Sequence, residues 1–183
     1  MMVPDVMTKG ASDAVLRITV LAEGKTPACS CCGHLPASGI VARDAYCLTC
    51  LPAFALDETD IDSVARVMWL PEMDQGVLSR LVTGLHTACA AQNVTMTRGT
   101  ADGRAQSARG VFAELRKRES EAVARIGTDR PSELRATLRH MRATKMTSDR
   151  VGESGLRILS LGTWFATDPG CYEAAAKAWA QRR

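Results

Sequence analysis

A chain of 183 residues that is 46% hydrophobic can bury a real core, as one domain or as a domain with a small satellite, and 4% aromatic residues leaves that core to Leu, Val, Ala and Met. No apolar run approaches the roughly 20 residues that cross a bilayer. The Met1 to Ala11 start also lacks the charged-then-apolar order of a signal peptide, so the sequence reads as a mature soluble protein of the cytosol. The net charge of +3 conceals a polarity, because residues 1–97 carry six basic and ten acidic groups while residues 98–150 carry thirteen basic and seven acidic.

In chain order, residues 14–21 place Leu16, Ile18 and Val20 on one side and Arg17 and Thr19 on the other, the period of two expected for a strand. Lys25 to Pro52 mixes paired cysteines with Gly33, Gly39, Pro27 and Pro36, a composition for turns and short hairpins that needs a staple. Val64 to Leu70 is a second β-prone run, ended by Pro71. Asp74 then reads as the N-cap of a helix whose Leu78, Leu81, Val82, Leu85 and Cys89 form one buried stripe.

Residues 94–104 are polar and read as a loop, after which Ala108, Val111, Phe112, Leu115, Ala122 and Ile126 trace one amphipathic helix over 105–126. Its other face carries Arg109, Arg116, Lys117, Arg118 and Arg125. Asp129 and Pro131 start a further helix with Leu134, Leu138 and Met141 inward, followed by a polar link over 144–155. Leu156 to Phe165 is apolar and fits strand or helix, and Asp168 with Pro169 opens a last helix whose Tyr172, Ala175, Ala176 and Trp179 share a face.

Cys29-x-x-Cys32 and Cys47-x-x-Cys50, with fourteen residues between the pairs, nearly match the spacing of four-cysteine zinc sites. Two thiolates three residues apart on a tight turn span one edge of a tetrahedron with zinc to sulfur distances of about 2.3 Å. Four thiolates fill every position, which leaves none for an activated water and makes the expected role structural. Such a site contributes roughly 10 to 16 kcal/mol of apparent binding energy to folding. Cys31 and His34 offer a competing register, in which either replaces a member of the first pair, and iron is an alternative to zinc at the same donors. The odd count of seven cysteines, with Cys89 and Cys171 on apolar helical faces, argues against a disulfide framework.

Nothing else carries catalytic chemistry. His34, His86 and His140 stand in no spacing that pairs them with a carboxylate or a second histidine, and the phosphate-loop, dinucleotide and nucleophile-elbow patterns are all missing. A nuclease built between cysteine pairs needs a histidine base and a second metal ligand in the spacer, and residues 33–46 offer only His34. The basic face of 105–126 could follow a phosphate backbone, as in zinc-ribbon nucleic-acid-binding proteins. It alternates with Glu114, Glu119 and Glu121 at salt-bridging spacings, however, which favours a solvated face or a dock for an acidic partner.

Taken together, the paired-cysteine knuckle, the strand running into Trp69-Leu70-Pro71-Glu72-Met73-Asp74-Gln75 and the helix from Leu78 to Cys89 resemble the DotN (IcmJ) family of type IVB secretion and related conjugation systems. The resemblance continues at Ser107-Ala108-Arg109-Gly110-Val111-Phe112, at Leu156-Arg157-Ile158-Leu159 and at Trp179. It implies a non-catalytic, zinc-containing adaptor in a coupling complex, gripping a segment of the coupling ATPase at the cytoplasmic face of the bacterial inner membrane. Members of that family look like degenerate histidine-metal endonuclease domains with a longer, histidine-containing insert between the cysteine pairs. Here the insert is only fourteen residues, which argues further against nuclease activity.

The expected architecture is α+β. A flexible N-terminus over 1–13 precedes a single domain over 14–183, in which a small sheet and a zinc knuckle at 27–52 pack beside about four helices in a helical part at 74–183. The expected metal ligands are Cys29, Cys32, Cys47 and Cys50. The expected partner surface combines Arg116, Lys117 and Arg118 with Trp164, Phe165, Tyr172 and Trp179, although the four aromatics serve equally well to close the core.

Overall fold

The computed structural model describes residues 18–21, 26–143, 155–165 and 170–181. The expected flexible segment 1–13, the first residues of the 14–21 strand, most of the 144–155 link and the Asp168-Pro169 cap lie outside them. Two small antiparallel sheets organise the rest. The first has the order β1 (Thr19–Val20), β2 (Gly39–Val41), β3 (Asp44–Tyr46), and the second pairs β4 (Ala65–Trp69) with β5 (Leu156–Ser160). A short α1 (Ile61–Val64) leads into β4, and the larger helices are α2 (Gln75–Ala90), α3 (Gly103–Lys117), α4 (Glu119–Ile126), α5 (Pro131–Ala143) and α6 (Cys171–Gln181). Among the described residues no helix is long and apolar enough to cross a membrane.

The β4–β5 ribbon is the partition of the molecule, and its period of two sorts side chains to opposite faces. Val67, Leu156 and Ile158 face the core shared by the cysteine knuckle, α4, α5 and α6. Met68, Leu70 and Leu159 face a second core built with Leu78, Val82 and Phe112 of α2 and α3. The apolar run at 156–165 resolves as a strand because register pairing of Ala65 with Ser160 through Trp69 with Leu156 buries it on both faces.

Asp74 caps α2, its Oδ1 accepting the Val77 N–H at 2.7 Å. The expected single helix over 105–126 is two helices. β4 docks at the break, where the Trp69 N–H donates to the Arg118 carbonyl at 3.2 Å, while the next ladder bond to that oxygen, from Ala122, is long at 3.3 Å. A backbone donor from outside thus shares the acceptor and bends the helix at Arg118, a tertiary event with no periodic signature. Arg125 then lies 4.1 Å over the Trp69 ring and holds α4 against the ribbon.

Candidate metal centre

The first cysteine pair sits on a turn closed by the Gly33 N–H to the Cys29 carbonyl at 2.8 Å and by the Cys29 N–H to the Leu35 carbonyl at 2.9 Å. Gly33 takes φ +65°, the left-handed conformation that turns the chain back beneath Cys29. The second pair follows β3, where the N–H groups of Cys50 and Leu51 both donate to the Cys47 carbonyl and open a single 3-10 turn over Leu51–Ala53. The Ser30 N–H donates to the Ala45 carbonyl at 2.8 Å and ties the two loops together.

These turns bring Cys29, Cys32, Cys47 and Cys50 together, all buried, with all four sulfurs within 4.8 Å of one another. Cys32 Sγ and Cys47 Sγ are 3.8 Å apart. A tetrahedral metal with bonds of about 2.3 Å needs sulfur to sulfur edges of about 3.8 Å, so the donor set fits a four-coordinate thiolate-binding ion. Cys31 is half-buried and His34 exposed, and neither belongs to the cluster, so the competing register is not the one assembled.

Electrostatics point the same way. Hydrogen bonds from Cys29, then from Cys47 and Cys50, hold the Cys32 thiol below its ordinary range. The bonds with Cys29 and Cys32 push Cys47 up, and those with Cys29, Cys31, Cys32 and Cys47 push Cys50 up. Four adjacent sulfurs cannot all become anions by themselves, and a dication at their centre removes that repulsion.

The knuckle is less polar than its composition implies. Every residue from Cys47 to Leu56 is buried, and Tyr46 stacks on Phe54 with ring centroids 3.9 Å apart. The Cys31 carbonyl lies so close to α2 that a Cβ on Gly76 would come within 2.5 Å of it.

The expected partner residues separate into two groups. Arg116 pairs with Glu119 at 2.7 Å, Lys117 with Glu114 at 2.7 Å, and Arg118 with Glu121 at 2.8 Å, so this basic surface is charge-paired along its own helices. Arg109, half-buried, donates to the carbonyls of Thr95, Arg98 and Gly99, clamping the loop before α3. Trp164, Phe165 and Tyr172 are buried in the core, with Trp179 packed at its edge. The ring centroids of Trp164 and Phe165 lie 5.1 Å apart and those of Tyr172 and Trp179 lie 5.9 Å apart. These aromatics close the core, because the helix that carries Tyr172 docks inward on α2 and the knuckle.

A buried polar chain went unread in the sequence. Thr49, inside the second cysteine pair, has its Oγ1 3.0 Å from the Tyr172 hydroxyl and 2.9 Å from Thr83 Oγ1. The Tyr172 hydroxyl lies 2.6 Å from His86 Nδ1, so the chain runs from the knuckle through α6 to α2. Burial pushes the His86 imidazole down to about 3, which keeps it neutral. The available signal was the stripe Ser79, Thr83, His86, Thr87 on α2, polar at helical spacing yet buried.

No protein-family model matches this chain, and no curated protein matches it.

Proposed function

We propose that the chain is a non-catalytic, zinc-containing adaptor subunit of a type IVB-like secretion or conjugation coupling complex, gripping a segment of the coupling ATPase. The observation that carries the non-catalytic part is the closed donor set. Four buried thiols converge at tetrahedral spacing, and with all four as ligands the ion keeps no position for water or substrate. The partner assignment is supported by the resemblance at Leu70-Pro71-Glu72, at the cysteine pairs and at Leu156-Arg157-Ile158-Leu159.

The gripping surface in this reading is the outer side of α3 and α4. It exposes Val111 and Val123 together with Arg116, Lys117 and Arg118, apolar contact area beside charges whose ion pairs orient them. Those same ion pairs weaken the case for a nucleic-acid interface, since a basic face matched by Glu114, Glu119 and Glu121 releases few counterions from a phosphate backbone.

The test is affinity purification of the tagged chain from its native cells. Co-purification of an inner-membrane coupling ATPase at near-stoichiometric yield is expected, with one zinc per chain. Recovery of nucleic acid instead, with a salt-dependent shift of DNA or RNA and no ATPase, would replace the adaptor reading.

A further inference from the structure

The sequence of α2 is that of an interior helix, yet the helix has an outer side. It packs on β5, α3 and α6, and Arg80 is its only charged residue, His86 being buried and neutral. A helix that is apolar all round is ordinarily enclosed all round, whereas a surface helix carries a polar outer stripe. The outer stripe of α2 is instead Val77, Leu81, Gly84 and Ala88, continued just past its end by Ala91, at the i, i+4, i+7 spacing of a single face. Val77 is 36% exposed, Ala91 is exposed, and the three between them are half-buried.

The stripe has the shape of a seat for another helix. Gly84 has nothing within 4 Å of its Cβ direction, and with Ala88 beside it the surface there is shallow and smooth. Small residues allow a second helix to lie alongside with axes about 8–10 Å apart. Strand addition is closed off, because β4 already donates to the Asp129 and Arg118 carbonyls and β5 is paired with Gln75. The 16 residues of α2 span about 24 Å, the length of a partner helix of about four turns.

Charge selects the kind of partner. Arg80 borders the stripe and is exposed. Arg104, also exposed, stands beside the C-terminal half of α2, since the adjacent Ala105 has its carbonyl 3.8 Å from Cys89 Sγ. Neither arginine has an ion pair among the described residues. Of the nearby carboxylates, Asp74 caps α2 and Glu72 lies 3.9 Å from Arg118, which leaves only Asp102. Pairing this face with a second copy of the chain would double the unpaired cations around it, so charge favours an acidic partner over self-association. We propose that the outer face of α2 docks an amphipathic helix of a partner protein, with the partner's apolar stripe along Val77, Leu81, Gly84 and Ala88 and its flanking carboxylates at Arg80 and Arg104. The inference uses none of Arg116, Lys117 and Arg118 and stands without the adaptor reading.

The experiment titrates the full chain, loaded with zinc, with a synthetic helical peptide of about 18 residues that carries Leu at i, i+4, i+7 and i+11 and Glu on its flanks. The amide signals of Val77, Gly84 and Ala88 are followed by NMR, and saturable shifts are expected. The same peptide with Lys in place of Glu should bind at least about tenfold more weakly, and a scrambled peptide without the stripe should not bind. Arg80→Gln should weaken the Glu peptide about fivefold. Gly84→Gln projects into open space, so fold and metal content should hold while the filled seat weakens binding at least about tenfold. Sedimentation of the free chain should show a monomer. The proposal is overturned if the Glu peptide leaves these signals unmoved, if the Lys or scrambled peptide binds as well, or if Gly84→Gln binds unchanged. A dimer of the free chain that Gly84→Gln dissolves would overturn it too, assigning the face to a second copy.

Discussion

Gln75 and Ile158 complete each other's hydrogen bonds across 83 positions of sequence. Gln75 Nε2 donates to the Ile158 carbonyl at 2.9 Å, and the Ile158 N–H donates to Gln75 Oε1 at 2.9 Å. β5 pairs with β4 along one edge only, and on its other edge the first residue of α2 supplies the amide that a third strand would have offered. Gln75→Leu keeps the volume but orphans both backbone groups, so a loss of about 2–4 kcal/mol is expected in urea unfolding. The Ile158 amide should also exchange faster with solvent. A loss under about 0.5 kcal/mol would mean that water replaces the amide.

Metal content separates the four clustered cysteines from the fifth in the knuckle. Cys50→Ser should lose the metal and most soluble protein, because the buried Cys47 to Leu56 run packs into the core only when the loops are held. Cys31→Ser and His34→Ala should each retain about one equivalent of metal by elemental analysis. A folded, metal-free Cys50→Ser protein would show that the ion is dispensable to the fold.

Two glycines in α2 should respond with opposite sign. A Cβ at Gly76 would meet the Cys31 carbonyl at 2.5 Å, so Gly76→Ala should cost about 1–3 kcal/mol and hasten transfer of a bound metal to a chelator. Gly84 has nothing within 4 Å of its Cβ direction, and Gly84→Ala should stabilise by about 0.5–1 kcal/mol through helix propensity. Thermal unfolding of the two variants side by side measures both.

His86 sets a pH dependence. Burial depresses its folded value to about 3 from an ordinary value of 6.5. The stability it contributes is therefore complete above about pH 6.5 and is lost as the pH falls from there towards about 3. Between pH 6.5 and 5 the His86 contribution should fall by about 2 kcal/mol, and His86→Gln, which cannot ionise, should flatten that part of the profile. Parallel profiles for the two proteins would show that His86 does not control this window.

Arg116→Gln, Lys117→Gln and Arg118→Gln combined should lower stability by less than about 2 kcal/mol, since each breaks a surface ion pair worth about 0–1 kcal/mol. Association with an acidic partner segment should slow and lose salt sensitivity. Unchanged association rates would exclude these three residues from the interface.

The sequence by itself determined the local features: the four clustered cysteines, through a paired spacing that suits a metal-binding turn pair; β4, through its β-prone run and Pro71; and α2, through Asp74 and its apolar stripe. Each is encoded within about a dozen neighbouring residues, where backbone geometry and periodicity act directly. Only the tertiary structure decided the break at Arg118, the strand at Leu156–Ser160 and the inward turn of Trp164, Phe165 and Tyr172. It also decided that Thr49, Tyr172 and His86 should meet. Those outcomes depend on partners from 49 (Trp69 to Arg118) to 123 positions away or on which of two faces finds a cover first, as the Thr49 to Tyr172 separation of 123 shows. Hydrophobic burial rewards any apolar face that reaches a core, and the sequence states which residues are apolar without stating which surface will cover them.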